Sequence, residues 1–146
     1  MSLGIRANLI AAAPALALYA AACATPAITF WNTQNQTLDT FSGGKALIVG
    51  PLAMLAGQFS WLANPVFAVA VTTLLLGQPR TSVLLSAVAG ALVTHTFALK
   101  GHPLPANEGG EGELQLRELG PGFYLWGASM IALAGGAVIR SITKHV

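Results

Sequence analysis

The seven basic and five acidic residues of this 146-residue chain stand outside its long apolar runs or at their very ends, and most of its eleven aromatic residues gather near those same ends. Hydrocarbon neither hydrates an ion nor satisfies an open backbone group. A chain that crosses a bilayer therefore does so as apolar helices, with charge expelled and aromatic rings at the headgroup level. The pattern predicts an all-α integral membrane protein. With 54% hydrophobic residues, 8% charged residues and no Ser- or Pro-rich linker, residues 1–146 read as a single transmembrane helical domain; a soluble domain averages roughly 25% charged residues.

Five apolar helical segments are expected, at about 7–30, 45–62, 64–79, 81–99 and 121–140, against the roughly 20 residues needed to cross a bilayer. Arg6 and the Ala- and Leu-rich run ending at Ala20-Ala21-Ala22-Cys23 have the outline of an export signal. We read them as a retained first span, bent modestly at Pro14. The second and third segments are short. Asn64 suits an N-cap and Pro65 a first helical position, so a helix is expected to start there. Phe59, Trp61 and Phe67 beside that start belong at an interface, which favours a tight hairpin and five crossings. Four crossings, with 45–62 re-entrant or part of one broken span, is the alternative. Both schemes leave four basic residues inside and three outside, and both place Arg80 and the C-terminus in the cytoplasm and the 100–120 connection outside.

That hydrophilic connection carries Glu108, Glu111, Glu113 and Glu118. Its stretch 113–119 fits a short strand by the alternation of Leu114 and Leu116, or a helical turn by the spacing of Leu116 and Leu119. Within the spans the candidate polar side chains are His95, Thr72, Thr73 and Ser86, with Thr94 nearby. An imidazole at membrane depth can relay a proton or hold a metal or haem. His95, however, lies about four residues from its helix end, close to water. His102 and His145 fall in connections on opposite sides, which leaves only Met54 or Met130 as a second haem ligand. No cofactor or metal site is assigned.

Small residues recur at four-residue spacing in Ser86/Gly90 and Ala87/Ala91, and in Ala128, Ala132 and Gly136. Such stripes let helix backbones approach closely, within one chain or between chains. Trp31, Trp61 and Trp126 are the expected interface anchors. Cys23, the only cysteine, precludes an intrachain disulfide or a multi-cysteine zinc site. The scattered Lys and Arg form no stripe to follow nucleic acid. No zinc-protease, Walker or nucleophile-elbow motif is present, so an enzyme is not expected.

The elements Trp61-Leu62-Ala63-Asn64-Pro65 and Gly122-Phe123-Tyr124-Leu125-Trp126-Gly127-Ala128-Ser129 resemble those of small uncharacterised bacterial inner-membrane proteins. The resemblance covers roughly residues 43–140 and implies a bacterial cytoplasmic membrane, but no activity or site. The expected function is therefore a non-enzymatic interaction protein whose partner is the bilayer and another membrane protein or further copies of itself. It would serve as an accessory subunit of a membrane complex or as a toxin-immunity protein. The alternative is a small homo-oligomeric channel lined by Thr72, Thr73, Ser86 and Thr94.

Overall fold

The computed structural model describes residues 3–107 and 109–143; Glu108, Lys144, His145 and the C-terminal residue, all used above, lie outside the described residues. The Ala- and Leu-rich run forms α1, Leu3–Ala24, with Pro14 inside it. The helix stops where Pro26 disfavours helical backbone at Thr25. The Thr25 hydroxyl turns back to donate to the Ala21 carbonyl at 3.0 Å. The β-branched and aromatic residues Ile28-Thr29-Phe30-Trp31 then extend as β1, Pro26–Asn32. Asn32 Oδ1 accepts from the backbone N–H groups of Gln34 and Asn35 and closes a turn. The chain returns as β2, Thr37–Ser42.

Two further strands come from the 100–120 connection: β3, Leu104–Pro105, and β4, Glu113–Leu119. The sheet is antiparallel in the order β2-β1-β4-β3. The all-α expectation is corrected here: the chain is mostly helical but carries a four-stranded sheet. The strand alternative for 113–119 prevails because β1 leaves one backbone edge open, and open donors and acceptors seek partners. Leu116 pairs with Phe30, and Leu114 with Asn32.

Among the described residues there are five α-helices, as the hydropathy pattern predicts. Beyond α1 they are α2, Gly43–Ala53, prolonged by a 3₁₀ turn at Met54–Ala56; α3, Ala63–Leu75; α4, Pro79–Thr94, prolonged by 3₁₀ residues His95–Lys100; and α5, Pro121–Thr143. Three segments, Gly4–Ala24, Pro79–Lys100 and Pro121–Thr143, are long and apolar enough to cross a membrane.

Helices α1, α3, α4 and α5 run up and down beside one another. Their inward positions follow helical spacing: Ala63, Phe67, Ala70 and Leu74 on α3; Ser82, Ser86, Ala89 and Val93 on α4; Phe123, Met130, Leu133 and Ala137 on α5; Ala12 and Ala15 on α1. One end of this bundle is tied by Asn8, whose amide donates to Leu75 O and accepts from Arg140 Nε. The sheet caps the other end.

Helix α2 does not run the length of the bundle. Its first residue, Gly43, lies against the backbone of Ala22 and Cys23 at the sheet end of α1. Gln58, just beyond its last turn, meets His95 at the sheet end of α4. No residue of α2 is buried, and Ile48, Leu52 and Leu55 are largely exposed.

Glycine spacing tests the packing directly. A Cβ at Gly136 would run into the Ala11 carbonyl, whereas one at Gly90 meets nothing within 4 Å. Gly136→Ala is therefore expected to destabilise the protein by about 1–3 kcal/mol through overpacking. Gly90→Ala should match or exceed wild type by up to about 1 kcal/mol, since alanine is the better helix former. Thermal unfolding of both variants in one detergent checks the contrast.

Candidate binding crevice

A crevice of about 970 Å³ opens between α2, the inner face of the sheet and the sheet-side ends of α1, α4 and α5. Strand alternation builds its roof: Phe30 and Phe41 meet edge to face at 5.5 Å between centroids, and both line the space with Leu114. Its flank is the inward side of α2, including Ala46, Val49 and Ala53, and its floor includes Tyr19, Asn64, Phe123 and Trp126. No Asp, Glu, Lys, Arg or His among the described residues lines it.

Asn64 organises the floor. Its Oδ1 accepts from Tyr19 Oη at 2.9 Å and from Trp126 Nε1 at 3.0 Å, while its Nδ2 donates to Trp61 O at 3.0 Å. One amide thus joins α1, α3 and α5. Trp61 extends the link to α2 by donating from Nε1 to Leu47 O at 2.8 Å. Gly50 permits this, because a Cβ there would strike the Trp61 ring. The expected N-cap role of Asn64 is corrected: α3 begins at Ala63 after a 3₁₀ turn at Ser60–Leu62, with Leu62 as its cap. The amide is used for tertiary contacts instead.

Of the expected anchors, Trp61 and Trp126 therefore sit at one level, with their indole N–H groups satisfied inside the protein. Trp31 stands apart on β1, with the Arg117 guanidinium 5.9 Å from its ring. Among the small residues, Gly136 makes a close helix contact, Ala132 packs against the core and Ala128 is half-buried. Gly90 makes no close approach within the chain. Further tight seams lie at Gly43, Gly120 and Gly122, all pressed on backbone between Ala22 and Ala27. Glycine enters there because the chain changes from sheet to helix over another backbone, a constraint that a four-residue stripe does not signal.

The polar span residues do not converge. Thr72 is exposed and donates to Ala68 O; Thr73 donates to Ala70 O; Ser86 is buried and donates to Ser82 O; Thr94 is exposed and donates to Ala91 O. Each hydroxyl is spent on its own helix. His95 Nδ1 lies 2.5 Å from Gln58 Oε1, and Met130 is enclosed in the core. Among the described residues, no three His, Cys, Asp or Glu side chains gather to hold a metal ion. Thr96 differs from the other hydroxyls: it is 1% exposed, belongs to the crevice wall, and its Oγ1 has no hydrogen-bond partner.

Compared with protein families, curated proteins and solved structures, the chain finds no significant match.

The Asn64 junction yields a stability prediction. Asn64→Ala removes the acceptor shared by Tyr19 and Trp126, and should cost about 1–3 kcal/mol because two part-buried donors lose their partner. Tyr19→Phe removes one donor and should cost only about 0.5–1.5 kcal/mol. Detergent unfolding curves that place Tyr19→Phe below Asn64→Ala would contradict this hierarchy.

Proposed function

We propose that this chain is a multi-pass, non-enzymatic interaction protein of a bacterial cytoplasmic membrane, with four crossings by α1, α3, α4 and α5. The observation that carries the membrane reading is the outer surface of the bundle. Ile10, Leu76, Leu84 and Ile131, one from each helix or the turn that follows it, are each about 70–75% exposed (73%, 71%, 69% and 75%). Large apolar side chains around a whole bundle have hydrocarbon as their natural solvent.

The crossing number follows from which ends meet. The Asn8–Arg140 contact brings the start of α1 and the end of α5 together, which suits an even number of crossings. Both ends of the 43–58 segment lie at the sheet end, which suits an interfacial helix on lipid, its Ile48, Leu52 and Leu55 facing the acyl boundary. This favours the four-crossing alternative over five. The α3 crossing is short: Ser60–Leu75, 16 residues long, spans about 24 Å at 1.5 Å per residue, and a few ångströms of mismatch are absorbed by bilayer thinning. Open sheet edges at β2 and β3 cannot lie in hydrocarbon, so the sheet stands outside the bilayer. Arg6, Arg80 and Arg140 at the opposite end face the cytoplasm.

The interaction role is supported by where polar chemistry is spent. Hydroxyls at membrane depth bond carbonyls of their own helix or the neighbouring one and form no line for a pore, so the channel alternative gains no support. The outer face of the sheet offers recognition surface instead. Register places Trp31, Leu38 and Gln115 side by side on it, and Leu38 is 62% exposed. A partner soluble domain or membrane subunit seated there would bury an aromatic and an aliphatic anchor ringed by Thr29, Thr40 and Arg117.

Two measurements test this reading. In a Cys23→Ser background, Gln36→Cys in the β1–β2 turn should react with an impermeant thiol reagent from outside the cell, and Gln78→Cys should be protected. Five crossings require the turn at Gln36 to be inside, so protection there would sink the four-crossing topology. Purification in gentle detergent should give a mass above the monomer with a stoichiometric second subunit, and Trp31→Ala with Leu38→Asp should release it without lowering thermal stability. A lone monomer at every detergent concentration would argue against the interaction role.

A further inference from the structure

We propose that the crevice between α2 and the bundle binds an uncharged lipid that presents a carbonyl acceptor to Gln58 and Thr96. The inference rests on the membrane reading and deepens it by naming what the membrane supplies to the protein.

The first observation is the balance of the lining. The space is largely apolar, is walled by residues of five helices and the sheet, and lies near the upper end of the volumes typical of small-molecule sites. It holds no ionic group among the described residues. A phosphate or carboxylate drawn into it would lose its hydration with no cation to repay the loss. Lys45 Nζ, over the lining ring of Phe41 at 3.9 Å, is engaged by that ring and is not itself in the lining, and Lys100 Nζ is 5.9 Å from the ring of Phe97. A neutral occupant fits this lining and an ionised one does not.

The second observation is independent and concerns unmet polar capacity. Thr96 is nearly fully buried and its hydroxyl has no partner. The α4 hydroxyls of Ser82, Ser86 and Thr94 donate to carbonyls, whereas that of Thr96, in the 3₁₀ stretch His95–Lys100, does not. Beside it in the chain, His95 contacts Gln58, which is 6% exposed and also lines the crevice. Gln58 Oε1 is occupied by His95 and by the Ser60 N–H. The groups left for a ligand are thus donors, the Gln58 amide N–H₂ and the Thr96 O–H. Donors without acceptors in an apolar, uncharged site select an ester or ketone carbonyl.

The third observation is the route of entry. Helix α2 has no buried residue and carries exposed Ile48, Leu52 and Leu55 at the level where Trp61 and Trp126 meet Asn64. Side chains tie it to the rest of the crevice wall through the Trp61 to Leu47 hydrogen bond and the Lys45 contact with Phe41. A lipid chain can therefore slide beneath α2 from the acyl boundary without crossing water.

The test uses full-length protein in phosphatidylcholine vesicles, with Trp31→Phe so that Trp61 and Trp126 report alone. Brominated dioleoylglycerol should quench this emission at a mole fraction several times lower than brominated phosphatidylcholine or phosphatidylglycerol. Ala53→Phe, which fills the crevice from α2, should bring the three lipids to equal effect. Thr96→Val should weaken diacylglycerol binding roughly threefold to tenfold, the loss of one hydrogen bond, while leaving lipid-free thermal stability equal or higher. A merely structural Thr96 would lower stability and leave quenching unmoved, which would overturn the proposal. Equal quenching by all three lipids in the unfilled protein means annular contact only, and stronger quenching by phosphatidylglycerol means an anionic ligand; either result overturns it. Absence of quenching by every lipid would instead remove the membrane reading itself.

Discussion

The amide of Asn64 is the point at which helices α1, α3 and α5 are held in register beneath the sheet. Its oxygen takes two donors from different helices, and its nitrogen returns to the Trp61 carbonyl. Separated from that oxygen, each part-buried donor would go unpaired, and that cost keeps the junction together. Trp61 then reaches Leu47, so the position of α2 depends on the same junction, and with it the width of the crevice. At the far end Asn8 ties α1, α3 and α5 by the same means. Between the two amides the helices need only shape, which alanines and glycines supply.

Backbone satisfaction explains why a sheet accompanies the bundle. The chain leaves α1 at Thr25 and must account for its N–H and C=O groups until α2 begins at Gly43. A hairpin satisfies one edge of β1, and the distant segment 113–119 satisfies the other. Each strand-to-helix junction then presses on the same backbone, residues 22–27, where Gly43, Gly120 and Gly122 have no room for a side chain. The sheet is thereby fixed over the bundle by covalent continuity at three places, and the space beneath it is defined by fixed walls.

Helices α4 and α5 were readable because apolar runs bounded by Pro79 and Pro121 leave no competing structure. The sheet was not, because Ile28-Thr29-Phe30-Trp31 continues the hydropathy of α1 and hydropathy does not record backbone conformation. Only Thr25-Pro26 and the β-branched run signalled the change. Strand β4 was visible as one of two alternatives and needed its pairing with β1 to decide between them. Asn64 was noticed for its position before proline, yet its role depends on Tyr19 and Trp126, 45 and 62 residues away, which no local pattern reveals. No local pattern in the sequence singles out Gln58 or Thr96. What distinguishes them is unmet hydrogen-bonding capacity, and that exists only once the 3₁₀ turn and the crevice are formed.

The division of labour along the bundle axis bears on function. Midway between the two amides, Ala12, Ala15, Ala70, Ala89 and Leu133 are fully buried, and serines there bond within their helices or to the next one. Such a core is closed by packing and by hydroxyls already bonded to carbonyls. At the junction the packing is different: helix α2 is held by few contacts, two side chains retain open donors, and a volume large enough for a lipid remains. On the function proposed above, partners would meet the protein at this open shoulder. Lipid entering beneath α2 would press against Phe30 and Phe41 of the sheet's inner face. Because Trp31 and Leu38 stand on the opposite face of the same two strands, occupancy below and recognition above share one thin layer of backbone.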